Sequence, residues 1–320
     1  MANIRFNWPI WGHERIIRSL QNSILNDKLT HAYLFSGPPS VGKMTVARYF
    51  LKSIQCQGNM RPCQKCESCL SIERNIHPDT VIIDHENSIK IEDMRELQHK
   101  FSLKYQVGYK IALINNAENM TEEAANSILK FLEEPKGKTV IILITEARQA
   151  LLPTIISRCQ IIKFLPVPVD IIKKELYNLS KDKQKASEIS SLSLGRPGLA
   201  RALLESPEII KKQQKLVSQL ERLYSARLLD RVNFVAKVAK DKALISEILD
   251  TWLGYFRDSL LFLLKQGDLS MRQSKEGFSK TKKYSKKEIL RLIKQIYQTK
   301  LLLSRNVNPR LALENLVISF

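Results

Sequence analysis

The pattern of apolar and polar positions changes character partway along the chain. Over the first 165 or so residues, short β-branched runs alternate with segments whose apolar residues recur at helical spacing, the pattern of a parallel sheet covered by helices. Strands are expected at 32–36, 80–83, 110–115, 139–145 and 160–164, and helices at 14–26, 41–54, 91–102 and 122–132. The strands are nearly continuous in apolar character, as expected where both faces of a sheet are buried. After Pro166-Val167-Pro168 the strand signal ends. Residues 167–205 read as short helices interrupted by Gly195-Arg196-Pro197-Gly198, and 206–320 as helical throughout, with long periodic stretches at 244–264 and 289–303. The expected organisation is an α/β domain over 1–166, a small helical domain over 167–205 and an all-helical domain over 206–320. No internal repeat is evident, and the compositionally biased segment is Ser/Lys-rich, at 270–287.

A length of 320 residues accommodates those three domains. No apolar run approaches the ~18 residues that a membrane-spanning helix requires. The N-terminus lacks the apolar core and cleavage site of a secretory signal, so a cytoplasmic protein is expected. The formal charge is +19, of which +12 (24 basic minus 12 acidic) lies from Arg201 onward. Such an excess favours a polyanionic partner, since each cation that meets a phosphate releases a counterion. Residues 272–294 hold nine basic and two acidic residues, which read equally as a solvated loop or as a patch facing DNA or a partner.

Gly37-Pro38-Pro39-Ser40-Val41-Gly42-Lys43 follows an expected strand and opens an expected helix, the context of a phosphate loop. Its backbone N–H groups would wrap a phosphate, and Lys43 would reach the β and γ oxygens. The next position should carry a hydroxyl for magnesium, yet it is Met44, whose thioether is a poor ligand for a hard cation. Thr45 lies one residue on and about 100° around the helix. A loop that keeps its shape without nucleotide is the competing reading. The strand that should end in catalytic acids, 109–114, ends in Asn115-Asn116 instead. An amide brings no negative charge and takes no proton from water at neutral pH. Glu118, Glu122 and Glu123 lie close enough in sequence to be displaced acids.

Four of the five cysteines, Cys56, Cys63, Cys66 and Cys69, fall within fourteen residues. They supply the thiolates for one closed tetrahedral Zn(II) site, which is structural because no coordination position is left for a substrate. An iron–sulfur cluster is the rival, but its fourth cysteine would lie downstream before a proline, so ligand set and spacing favour zinc. Ser157-Arg158-Cys159 precedes the last strand, and taken alone Arg158 reads as an ordinary ion-pairing residue.

Together these motifs resemble the AAA+ clamp-loader family. The likeness runs over about 200 residues. It takes in 31–37 leading into the phosphate loop, the four-cysteine insertion, the run from Ala124 to Pro135 and Ser157-Arg158-Cys159. The last 115 residues match in helical character and length alone. The resemblance implies an α/β AAA+ module, a helical lid and a helical collar that joins subunits into an open pentameric ring within the DNA polymerase III holoenzyme. It implies that Arg158 is an arginine finger, stabilising the γ-phosphate of an ATP bound to a neighbouring subunit. The candidate nucleotide site would comprise Gly37, Gly42, Lys43, Thr45, Thr145 as first sensor and Arg196 as second, holding ATP or ADP without hydrolysis. The implied partners are the gamma or tau ATPase subunits, the delta subunit, the sliding clamp and primed DNA. Two other readings stay open: an active clamp-loader ATPase with a displaced acid, and a stand-alone zinc-containing nucleic-acid-binding protein on an AAA+ scaffold.

Overall fold

The computed structural model describes residues 4–85, 88–102, 108–135, 137–264, 285–304 and 307–320. The chain divides into two compact units, Met1–Val167 and Pro168–Phe320. In the first, β2 (Ala32–Ser36), β4 (Thr80–Ile83), β5 (Lys110–Ile114), β6 (Thr139–Thr145) and β7 (Gln160–Lys163) form a parallel sheet in the order β4-β5-β6-β2-β7. Side chains alternate across a strand, so one apolar run feeds two cores. Leu34, Ala112, Ile114 and Leu143 pack beneath α4 (Ile91–Ser102), α5 (Glu122–Glu133) and α6 (Pro153–Arg158). Tyr33, Phe35, Ile111 and Leu113 pack on the other face, with α1 (Glu14–Leu25) and α2 (Lys43–Gln55). The apolar continuity of the central strands thus has the expected cause.

The last strand departs from that expectation. β7 is an edge paired with β2 alone, and Gln160, Ile161 and Lys163 are exposed on it. Its apolar pair Ile161-Ile162 buries only in part, because among the described residues no further strand covers that side. Three features carried no periodic signal: β1 (Arg5–Phe6), β3 (Met60–Arg61) and the short α3 (Glu67–Glu73). β1 and β3 pair in parallel, joining the N-terminal segment to the cysteine-bearing insertion. Trp8 fixes the same segment to α2 by donating from Nε1 to Ser53 Oγ at 3.0 Å in a buried setting.

The second unit is helical. α7 (Val169–Ser180), α8 (Lys183–Leu192) and α9 (Pro197–Glu205) pack on one another. Asp182 caps α8 by accepting from the N–H groups of Gln184 and Lys185, and Pro197 opens α9 at a position where its missing N–H costs nothing. There follow α10 (Pro207–Tyr224), α11 (Leu228–Val238), α12 (Lys242–Leu263), α13 (Lys286–Ser304) and α14 (Pro309–Ile318). Their core, which includes Leu220, Val235, Leu249, Trp252, Ile296 and Val317, is drawn from these helices and not from α7–α9. Most of the basic stretch 272–294 lies outside the described residues, and its remainder begins α13. Among the described residues, no helix is long and apolar enough to cross a membrane.

Candidate functional site

The phosphate loop leaves the C-terminal end of β2, beside β6 and β7, and ends on α2. Gly42 is the N-cap of α2 at φ 107°, a conformation costly for a residue with a Cβ. Gly37 is needed for space, since a Cβ there would lie 2.4 Å from the carbonyl oxygen of Phe164. Lys43 is buried, and its Nζ donates to the carbonyl oxygens of Gly37 and Pro38 at 2.7 Å each. Burial lowers its ammonium below the ordinary lysine value, against the opposing pull of Glu146 and Glu118. The first turn of α2 holds no acid to repel a phosphate.

Thr145, fully buried at the end of β6, lies in register with Ser36 of β2. Its carbonyl accepts from Gly37 N–H at 3.3 Å, and its hydroxyl accepts from Ala147 N–H at 3.1 Å. The first-sensor candidate is therefore bonded to the loop's own backbone. Met44 packs partly into the core, and Thr45 is exposed. Both line a cavity of about 300 Å³ together with Arg48, Lys52 and Leu70, between α2 and α3.

At the end of β5 the amides have partners of their own. Asn115 Nδ2 donates to Asp84 Oδ1 at 2.8 Å, and Asn116, at φ 51°, donates from Nδ2 to the carbonyl of His85 at 3.2 Å. Of the three nearby acids, Glu122 and Glu123 are exposed at the start of α5. Glu118 is the one whose charge reaches Lys43. Its Oε1 accepts from Glu146 N–H at 2.9 Å, while its Oε2 is buried without a hydrogen-bond partner.

The four cysteines come together as their spacing predicted. The sulfurs of Cys56, Cys63, Cys66 and Cys69 all lie within 4.8 Å of one another, and a tetrahedron with ~2.3 Å zinc–sulfur bonds needs edges of about 3.8 Å. Backbone N–H groups of Gly58 and Cys63 point at Cys56 Sγ at 3.4 and 3.3 Å, and that of Cys66 at Cys63 Sγ at 3.3 Å. Burial pushes Cys63 up, but N–H donors from Lys65 and Cys66 together with the thiols of Cys66 and Cys56 outweigh it and bring the thiol to about 6. Burial raises Cys56 and Cys69. The donor set and its closeness fit a closed four-thiolate zinc site. Cys159 stands apart, and burial raises it to about 11.

Arg158 ends α6. Its Nη1 donates to Thr154 O at 3.0 Å and its Nη2 pairs with Glu133 Oε1 at 2.7 Å. Arg196, in the second unit, pairs with Asp250 of α12 at 3.3 Å, and the other oxygen of Asp250 accepts from Lys300 at 2.5 Å. One supporting residue gave no signal in sequence. His13 Nε2 lies 2.9 Å from the carbonyl of Val41 in the phosphate loop, with its ring 4.9 Å from that of Phe164. The two residues lie 28 positions apart in the sequence.

Residues 12–168 match the family described as DNA polymerase III, delta subunit. The chain is 29% identical to Bacillus subtilis DNA polymerase III subunit tau over 80% of its own length and 50% of that protein's. A solved structure, a DNA polymerase III gamma subunit-related protein from Thermotoga maritima, aligns over 93% of this chain and 97% of its own, at 20% identity and a TM-score of 0.38. With Bacillus subtilis DNA polymerase III subunit delta′ the identity is 31%, over 95% of this chain and 94% of that one. Likeness at that level across nearly the whole of both chains means that this chain belongs to the family of the DNA polymerase III subunit delta′, a family of clamp-loader subunits.

Proposed function

We propose that this chain is a non-hydrolysing clamp-loader subunit that supplies Arg158 to an ATP held by a neighbouring subunit and so helps load the sliding clamp on primed DNA. The observation that carries the reading is the end of β5. Asn115 and Asn116 stand at the end of the strand where a hydrolysing phosphate-loop site requires acids, and both amides are committed to other partners. With Met44 in place of a hydroxyl, neither magnesium nor a nucleophilic water finds its usual ligand or base. Lys43, Gly42 and Gly37 keep the shape of a phosphate cradle, which supports retention of ATP or ADP without turnover. In this reading α7–α9 are the lid, α10–α14 are the collar, and the four-cysteine knuckle holds structural zinc. The delta subunit and the gamma or tau ATPases are the partners.

One observation favours the runner-up, an active ATPase: Glu118 keeps one carboxylate oxygen buried without a hydrogen-bond partner, and its charge acts on Lys43. ATP hydrolysis by the purified chain separates the two. We expect no turnover alone, and turnover in a mixture with the ATPase and delta subunits, clamp and primed DNA that falls at least a hundredfold with Arg158→Ala, since a finger contributes ~10³–10⁵ to the rate. Turnover by the chain alone that is lost in Glu118→Gln would establish the runner-up. Unchanged turnover of the mixture with Arg158→Ala would reject the finger.

A further inference from the structure

Arg158 is gripped at two points that differ in kind. The contact with Thr154 O comes from one turn back in its own helix and moves with it. The contact with Glu133 comes from the last residue of α5, whose buried residues Ala124, Ile128 and Leu132 seat that helix in the core under the sheet. α5 stops at Glu133 because Pro135 disfavours helical geometry in the residue before it. The end of the helix therefore fixes where the carboxylate stands. The guanidinium also lies near the C-terminal ends of both α5 and α6, where helix dipoles favour a cation.

We propose that Glu133 is the positioning residue for Arg158, holding its guanidinium pre-oriented to meet a phosphate presented by another subunit; the inference rests on the finger reading above. A guanidinium has five N–H donors. The two contacts made within this chain leave three for an outside acceptor. The side chains of Arg158 and Glu133 are 36% and 49% exposed, so the phosphate can be met without breaking the pair. At that exposure the pair adds little to fold stability. Its effect is on conformational freedom: an arginine already held in one rotamer loses less entropy on engaging its ligand. The same weakness argues against storage, since a half-solvated carboxylate cannot compete with a triphosphate for the guanidinium.

The test is steady-state ATP turnover by the loader assembled from this chain and its ATPase and delta subunits, with clamp and primed DNA. Wild type, Glu133→Gln, Glu133→Ala, Arg158→Ala and the double variant E133A/R158A are compared. Glu133→Ala should lower kcat about threefold to fivefold with KM for ATP unchanged. Glu133→Gln, which keeps an oxygen acceptor for Nη2, should recover most of the loss. In the Arg158→Ala background, Glu133→Ala should add nothing. A wild-type rate in Glu133→Ala alongside a slow Arg158→Ala would overturn the positioning role and leave the finger standing. An equal loss from Glu133→Ala with and without Arg158 would also overturn it, because the effect would then not pass through the arginine. A wild-type rate in Arg158→Ala would remove the finger reading and this inference together.

Discussion

His13 and His77 are both held below the ordinary histidine value, and in both the chief cause is burial. The bond to the Val41 carbonyl and Glu14 oppose the shift at His13, while Asp79 and Glu67 oppose it at His77. The unfolded chain takes up protons near the usual ~6.5, whereas the folded protein resists protonation until lower pH. Between those values the unfolded state binds more protons, so stability is full above about 6.5 and is lost as pH falls through it. We expect the melting temperature to fall between pH 7 and pH 5.5, and the fall to be shallower in His13→Gln. An unchanged slope in the variant would mean that His13 is not held neutral by its place against the loop. Legibility divides at this scale along the same line. Gly42, Lys43 and the Asn115-Asn116 pair are local and follow from a motif. The approach of His13 to Val41 and the reach of the Glu118 charge to Lys43 are made by the fold, and no spacing along the chain encodes them.

Elements were legible where they were long and periodic. The five expected strands and α1, α2, α4 and α5 lie within about two residues of expectation at either end, because burial on both sheet faces enforces continuous apolar runs and the helices bury one stripe each. β1, β3 and α3 were not, since two residues carry no period and a seven-residue helix is too short to display one. α3 is attached by Cys69 and Ile72, both buried, and by the ion pair of Lys52 with Glu73. In the proposed zinc site, removal of the ion would leave the four thiolates without the cation they share and would loosen the insertion that carries Met60, the pairing partner of Arg5. We expect one zinc per chain, released by a thiol-reactive mercurial. Cys66→Ser should lower the melting temperature of the first unit by about 4–8 °C, the equivalent of ~2 kcal/mol in a domain of this size. Full retention of zinc and of melting temperature in Cys66→Ser would show that the four thiols form no closed site. Iron and a visible absorption band from protein purified without oxygen would instead identify a cluster.

Across the whole chain, the resemblance assigned Arg196 to a nucleotide, while the second unit employs it within itself. Arg196 at the start of α9 and Lys300 of α13 share the two oxygens of Asp250 on α12, with side-chain exposures of 11%, 30% and 16%. This triad ties α9 to the helices whose core surrounds Trp252. Nothing in the sequence marked Asp250, because an acid on a long helix is most often solvated, and its two cations lie 54 and 50 positions away. Replacing the carboxylate with an amide leaves two partly buried cations facing a neutral group. Breaking a fully buried pair costs ~3–5 kcal/mol, and with part of this triad in contact with water about 2–3 kcal/mol is the reasonable expectation. Asp250→Asn should therefore move the urea transition of the second unit, followed by Trp252 fluorescence, to lower concentration, with the slope unchanged. The same variant tests what Arg196 does. If the arginine is a structural tie, Asp250→Asn weakens the unit and leaves nucleotide affinity where it was. If its destination is a phosphate, releasing it from Asp250 tightens nucleotide binding by the chain, and the ion pair is then a competitor for the arginine rather than its permanent partner.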